Sequence, residues 1–295
     1  LIQAANTGLS WDVLTIKRRG FTRDTPPGKE ELKWVANSST LIAGEQDAVL
    51  VDTFLTVVQS RTLLDFVVAS GKNLTTIYIT HGHADHFFGL APLLERFPHA
   101  KAVATPEVVK AMRAQLVPDS IDGFWRRLFP GEILDQLLVA EPLDRGQLEL
   151  EGHKLVVVNA GRTDTAYSTC LHVPSVGLIV AGDVVYNGLH PYLGETDAPS
   201  RLEWIAALDR LKALKPQVVV SGHKIPENAD DPRDIGRTRD YLRDFNRLVE
   251  ATTSARELYD EMLKLYPDRV NPGSLWSGAK AAHRIDGNGS IIQAS

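Results

Sequence analysis

The chain has 295 residues, 43% of them hydrophobic and 23% charged, with a formal net charge of −5. That is enough apolar material for one large core or a core with a cap, and it leaves no general basic field for nucleic acid. The single cysteine, Cys170, excludes an internal disulfide framework and a cysteine-rich zinc site, and no apolar run is long enough to cross a bilayer. A start at Leu1 rather than Met fits a trimmed or processed chain, and both cytoplasmic and exported compartments stay open.

Residues 1–30 are polar and read as an opening strand, Val13 to Ile16, and a long loop through Arg18-Arg19-Gly20 and Thr25-Pro26-Pro27-Gly28. From Trp34 the pattern turns to β, with strands over Ser39 to Ala43 and Ala48 to Val51 around the turn Gly44-Glu45-Gln46-Asp47. Helical spacing over Val57 to Ser70 is closed by Gly71. A hydrophobic run, Leu74 to Ile79, follows, then a short helix from Phe88 to Phe97, a strand over Lys101 to Ala104, and a helix from Glu107 to about Leu116 with Pro106 in its first turn. Two β–α passages in succession predict a layered α/β fold.

Residues 117–135 are less regular. The bulky, basic run from Phe124 to Phe129 reads either as an amphipathic helix packed on the core or as a wall over a binding site. Strands are predicted over Gln147 to Leu150, Lys154 to Val158, Ala166 to His172 and Gly177 to Ala181, which makes Cys170 a buried structural thiol. The helix Arg201 to Leu214 is read with Leu202, Ile205, Ala206, Leu208 and Leu211 inward, and Gln217 to Val220 is the last strand. The chain is then helical and charged from Pro232 to Leu265, with a tail after Pro267.

The chemistry concentrates in Thr80-His81-Gly82-His83-Ala84-Asp85-His86, where four of seven side chains can bind a metal. The stretch lies where a buried strand ends, a place where side chains converge on a cleft, and imidazole with carboxylate suits zinc, iron, manganese or nickel. Three further strand ends carry polar residues: Val49-Leu50-Val51-Asp52-Thr53, Ala181-Gly182-Asp183 and Ser221-Gly222-His223.

Taken in that order, these motifs resemble the metallo-β-lactamase superfamily over roughly residues 30 to 225. The resemblance implies a four-layer αββα sandwich for residues 1–230, with 231–295 as a C-terminal helical extension packed on its outside. It implies a first metal held by His81 and His83, a second held by Asp85, His86 and His223, and Asp183 bridging them. The expected ion is Zn2+, one or two per chain, with iron or manganese as alternatives. Asp85 is expected also to accept a proton or orient water. Tyr186, three residues after Asp183, stands where lactonases of the superfamily donate a hydrogen bond to the substrate carbonyl; a packed aromatic is the other reading.

One position departs from the pattern. In Gly161-Arg162-Thr163-Asp164-Thr165, Arg162 stands where the family places its third site-one histidine. Arginine has no free lone pair and stays protonated, so it is no ordinary ligand. Three outcomes are open: one metal at the second site with the Arg162 guanidinium supplying the lost charge, two metals with water or another side chain such as His190 filling the gap, or a weakened activity. The favoured reading is a centre dominated by the second metal. Asp164 and Thr165 are read as supports behind the ligands or as plain turn residues.

The function expected is a metal-dependent hydrolase acting on a small ester or lactone, with Asp85, Tyr186 and Arg162 as its catalytic side chains. A thioester hydrolase of the glyoxalase II kind and a β-lactam hydrolase are alternatives, although Asp183 speaks against the lactamase branches whose second site uses cysteine. A ligand-binding homologue with little catalysis is the reading from another class, motivated by Arg162 as an anion clamp. A small-molecule partner is expected, with neither nucleic acid nor membrane.

Overall fold

The run Ala48-Val49-Leu50-Val51 has no polar alternation because both of its faces are covered. Ala48 and Leu50 join a core shared with helices, whereas Val49 and Val51 join a second core shared with another sheet. That double burial organises the molecule into layers. The computed structural model describes residues 2–3, 8–20, 24–143 and 146–283.

In chain order the elements begin with β1 (Ile2–Gln3), β2 (Ser10–Arg19), β3 (Trp34–Ala43) and β4 (Asp47–Val51), followed by α1 (Val57–Ala69), β5 (Asn73–Tyr78), α2 (Leu90–Arg96), β6 (Lys101–Ala104) and α3 (Pro106–Gln115). Short turns α4 (Pro118–Ser120) and α5 (Arg126–Leu128) flank a π turn at Ile121–Trp125 without a gap, so the run from Phe124 expected as an amphipathic helix spans the end of the π turn and α5. The second half runs through β7 (Glu141–Pro142), β8 (Gln147–Leu150), β9 (His153–Gly161), β10 (Ser168–Val173), β11 (Leu178–Val180), β12 (Tyr186–Asn187), α6 (Ala198–Ala213), β13 (Val218–Val220) and β14 (His223–Lys224). Three helices close it: α7 (Asp234–Ala251), α8 (Ala255–Leu265) and α9 (Pro272–Ala282).

One sheet has the order β1-β2-β3-β4-β5-β6-β7, with β14 on β3 and β12 on β14; the other has β13-β11-β10-β9-β8. Leu63 and Val67 of α1, Leu90 and Leu93 of α2, and Val108 and Met112 of α3 pack on the outer face of the first sheet. Ile42, Val49 and Tyr78 meet Leu155, Leu171 and Val180 between the sheets. Cys170, Ile179 and Val219 on the outer face of the second sheet meet Trp204 and Leu208 of α6 and Phe245 of α7. Three apolar interfaces between four layers are the αββα sandwich that the sequence implied.

Two local expectations are corrected. Helix α6 buries Trp204, Ala207, Leu208 and Leu211, while Leu202 is 60% exposed; Trp204 covers more of the sheet than a leucine could and also donates its indole N–H to the Val184 carbonyl at 2.9 Å. The stretch after Pro267 is not all tail, because Pro272 opens an eleven-residue helix, α9, whose Leu275 and Ala279 are buried in the same core. Among the described residues no helix is long and apolar enough to cross a membrane.

The rotation of α6 is testable by chemical denaturation. Trp204→Ala should cost about 3–5 kcal/mol, as deletion of a buried aromatic does, while Leu202→Ala should stay within about 0.5 kcal/mol of the parent; the reverse ranking would restore the inward face expected from the sequence.

Candidate metal centre

The two sheets are stitched together directly beneath the His-rich stretch. Thr169, just past a register shift in β10, donates its backbone N–H (3.0 Å) and hydroxyl (2.7 Å) to the Thr80 carbonyl, and the Tyr78 hydroxyl meets the Thr169 hydroxyl at 2.7 Å. On the other side the Gly222 N–H donates to the Gly182 carbonyl at 2.7 Å. Gly182 has a φ of 51°, and a Cβ there would fall on the Thr80 side chain. At Gly222 a Cβ would collide with Asp183 Oδ1 and crowd His86. Both glycines therefore let strand ends from different sheets approach until their side chains share one space.

Most of the histidines there are held from behind. His86 Nδ1 lies 3.0 Å from Asp52 Oδ2, and Asp52 is itself fixed by the Thr80 N–H and hydroxyl at 2.8 and 2.7 Å. His81 Nδ1 meets the Thr80 hydroxyl at 3.0 Å, and His223 Nδ1 donates to the Ala36 carbonyl at 2.9 Å. This pattern turns the Nε2 atoms of all three rings inward. His83 is reversed: its Nε2 lies 3.3 Å from Glu195, and its Nδ1 faces in.

The inward atoms form two adjoining groups. His86 Nε2 and His223 Nε2 lie 3.2 and 3.1 Å from the two oxygens of Asp183, and His223 Nε2 is 3.7 Å from Asp85 Oδ2. In the other group Asp164 Oδ2 lies 3.0 Å from His83 Nδ1 and 3.7 Å from His81 Nε2, which is 4.0 Å from Asp183 Oδ2. A tetrahedral ion with bonds of about 2.0–2.1 Å holds its donor atoms about 3.3 Å apart, and these separations bracket that value. His81 Nε2, His86 Nε2, Asp164 Oδ2 and Asp183 Oδ1 are buried and make no aligned hydrogen bond. Buried polar atoms are almost always satisfied, so four of them facing one another fit divalent metal ions.

The charge distribution agrees. Burial alone would lower the His86 and His83 pKa values, yet Asp183 and Asp52 around the first, and Asp164 and Glu195 around the second, hold both well above the usual histidine range. His81 goes the other way, to about 4, because burial and the neighbouring His86 disfavour its cation. Burial opposes ionisation of Asp183, but His223 and His86 keep it well below the carboxylate range. Without an ion, protons stand in for positive charge.

The structure brings together His81, His83, Asp85, His86, Asp183 and His223, all six ligands expected from the sequence. It treats the other expectations differently. Arg162 is 45% exposed and pairs with Asp197, the N-cap of α6, at 3.7 Å; that placement does not fit a guanidinium standing where a metal would. His190 is buried against Tyr241 of α7, with Nδ1 3.0 Å from its hydroxyl, outside both groups. Tyr186 is buried and spends its hydroxyl on Asp183 Oδ2 at 2.8 Å while stacking on His223, so it steadies a carboxylate from behind. Asp164, read as a support or turn residue, presents its carboxylate to His81 and His83 instead. Sequence reasoning passed over Arg18 and Asn37, which reach Asp85 Oδ2 at 2.8 and 2.9 Å, and over Glu195 and Tyr192. The Arg18 contact depends on β2 pairing with β3 in the register Ile16↔Asn37, which no local motif encodes.

Above the groups lies a cavity of about 420 Å³. Its floor includes His83, Asp85, Asp183 and His223, and its walls include Arg18, Phe124, Trp125 and Tyr192, with Ser274, Trp276, Ser277 and Lys280 from α9. The helical extension thus forms part of the site and is not confined to the outside.

The sequence matches the family model described as the metallo-beta-lactamase superfamily over residues 32–223. Among solved structures, a metallo-beta-lactamase family protein from Thermus thermophilus is similar with a TM-score of 0.63 at 22% identity, covering 94% of this chain and 92% of that one. A metallo-beta-lactamase from Pontibacter korlensis is similar with a TM-score of 0.58 at 16% identity, covering 82% of this chain and 98% of that one. Among curated proteins none matches the sequence.

Two measurements check the centre. Asp52→Asn should weaken divalent-metal binding roughly 10- to 100-fold by releasing His86, read by competition with a chromophoric chelator. Because the surrounding carboxylates raise the pKa values of His83 and His86 in the metal-free chain, metal uptake should release protons and apparent affinity should rise with pH; titration calorimetry in buffers of different ionisation enthalpy reads this directly, and zero proton release would contradict the charge assignment.

Proposed function

The chain belongs to the metallo-β-lactamase superfamily, and from that premise we propose that it hydrolyses a small ester or lactone at a divalent-metal centre. The observation that carries this reading is the cavity of about 420 Å³ set over His83, Asp85, Asp183 and His223. Its size suits a small molecule, and its walls mix aromatic faces with a few convergent polar groups. An ion bound there supplies Lewis acidity, lowering the pKa of water to about 7 and polarising the oxygen under attack; zinc is the first choice, with iron or manganese as alternatives.

The side chains divide the remaining work. Burial opposes ionisation of Asp85, but His86, Arg18 and His223 hold its pKa far below the usual carboxylate range. It therefore stays ionised, accepting hydrogen bonds and orienting a water; it is a poor store for a proton. Arg18 brings a fixed cation to the cavity beside Asp85, suited to charge developing on the substrate oxygen. The phenol that faces the substrate is Tyr192 rather than Tyr186. It lines the cavity and meets the edge of the His83 ring at 5.7 Å, and burial, with Glu195 next, raises its pKa so that it keeps its proton. Tyr192 is thus the donor to a carbonyl oxygen. Arg162, exposed and paired with Asp197, is poorly placed to clamp an anion in the cavity, which favours the hydrolase over a binding-only homologue.

The test is a panel of small esters, lactones and thioesters with chelated and metal-reloaded protein. Turnover of an ester or lactone that is lost on chelation and restored by metal is the expected outcome; turnover confined to thioesters, or none, would overturn the substrate assignment. Tyr192→Phe should lower kcat roughly 100- to 1000-fold while leaving metal content unchanged.

A further inference from the structure

We propose that Asp164 is a metal ligand that replaces the missing site-one histidine, so that the centre holds two ions with matched donor sets. This rests on the metal-dependent reading above. The substitution at Arg162 removes a donor from the loop between β9 and β10, and the same loop returns one two residues later. The geometry is specific. Asp164 is fully buried, and its Oδ1 is held by the hydroxyls of Thr163 and Ser168 at 2.8 and 3.3 Å. Oδ2 is left facing His83 Nδ1 and His81 Nε2. A turn residue would have no reason to bury an ionised oxygen against two imidazoles, because desolvation of an isolated carboxylate is costly.

The backbone explains how a loop makes this exchange. Gly161 has a φ of 76° and the Thr163 N–H donates to the Thr165 carbonyl at 2.9 Å. The turn throws Arg162 outward to Asp197 and brings Asp164 in above Ser168, whose backbone bridges to His81. Each site then has two imidazoles, one terminal carboxylate and a share of Asp183: His81, His83 and Asp164 on one side, and His86, His223 and Asp85 on the other. Exchanging an imidazole for a carboxylate adds a negative charge and a harder donor. Site one is therefore more favourable to manganese than a three-histidine site would be, since oxygen donors suit that ion.

The experiment counts metal rather than activity. The parent, Asp164→Ala, Asp164→Asn and Arg162→His are stripped, loaded with Mn2+, desalted and measured for metal per chain and by electron paramagnetic resonance. The expected result is two equivalents and a spin-coupled signal for the parent and for Arg162→His. Asp164→Ala should hold one equivalent with an uncoupled signal, and Asp164→Asn should bind its second ion at least tenfold more weakly. The equivalent retained at site two serves as the control for folding. Two equivalents with unchanged affinity in both Asp164 variants would overturn the assignment, as would a parent with one equivalent that rises to two in Arg162→His. Because stoichiometry is read without substrate, it can fail while ester hydrolysis stands, and the reverse also holds.

Discussion

The Asp183 carboxylate is the point on which both sheets and both ligand groups close. It follows β11 of the second sheet, yet its oxygens face His86 and His81 from the end of β5 in the first, and His223 from β14. An ionised group so deeply buried is tolerable only with compensating positive charge. The Tyr186 hydroxyl supplies one hydrogen bond, and imidazolium or metal must supply the rest. The glycines at 182 and 222 exist to make room for this meeting. The sandwich and its centre are therefore coupled: the strand ends are drawn together by charge as well as by the apolar interface behind them.

The layered fold was legible because its signals are local and repeated. Apolar runs such as Ala48 to Val51 and Val218 to Val220 have only one sensible fate in an α/β chain. The six candidate residues were legible because they fall in short motifs at the ends of apolar strands: His81 to His86 after β5, Asp183 after β11 and His223 after β13. What escaped the sequence depends on approach from a distance. Arg18 and Asn37 reach Asp85 only because β2, β3 and the metal turn are neighbours in space. Glu195 reaches His83 across more than a hundred residues. Tyr186 and Tyr192 are close in the chain and alike in chemistry, and only the path of the chain after β12 decides which one is sealed behind Asp183.

The loop from Gly161 to Thr165 shows why position in a motif is a weaker guide than position in space. Read as a string, it has lost a ligand. Folded, it presents a different donor to the same two imidazoles. Four of its five residues have a definite place: a glycine with positive φ, an arginine pairing with a helix cap, a threonine hydroxyl bracing the aspartate, and the aspartate itself.

The walls of the cavity come partly from outside the stretch that the family shares. Ser274, Trp276, Ser277 and Lys280 belong to α9, well beyond the end of the matched region at 223. The candidate metal-binding groups thus lie within the matched stretch, while the cavity wall is shared between that stretch, through Phe124, Trp125 and Tyr192, and the closing helix. A match over residues 32–223 alone therefore leaves one side of the cavity undescribed.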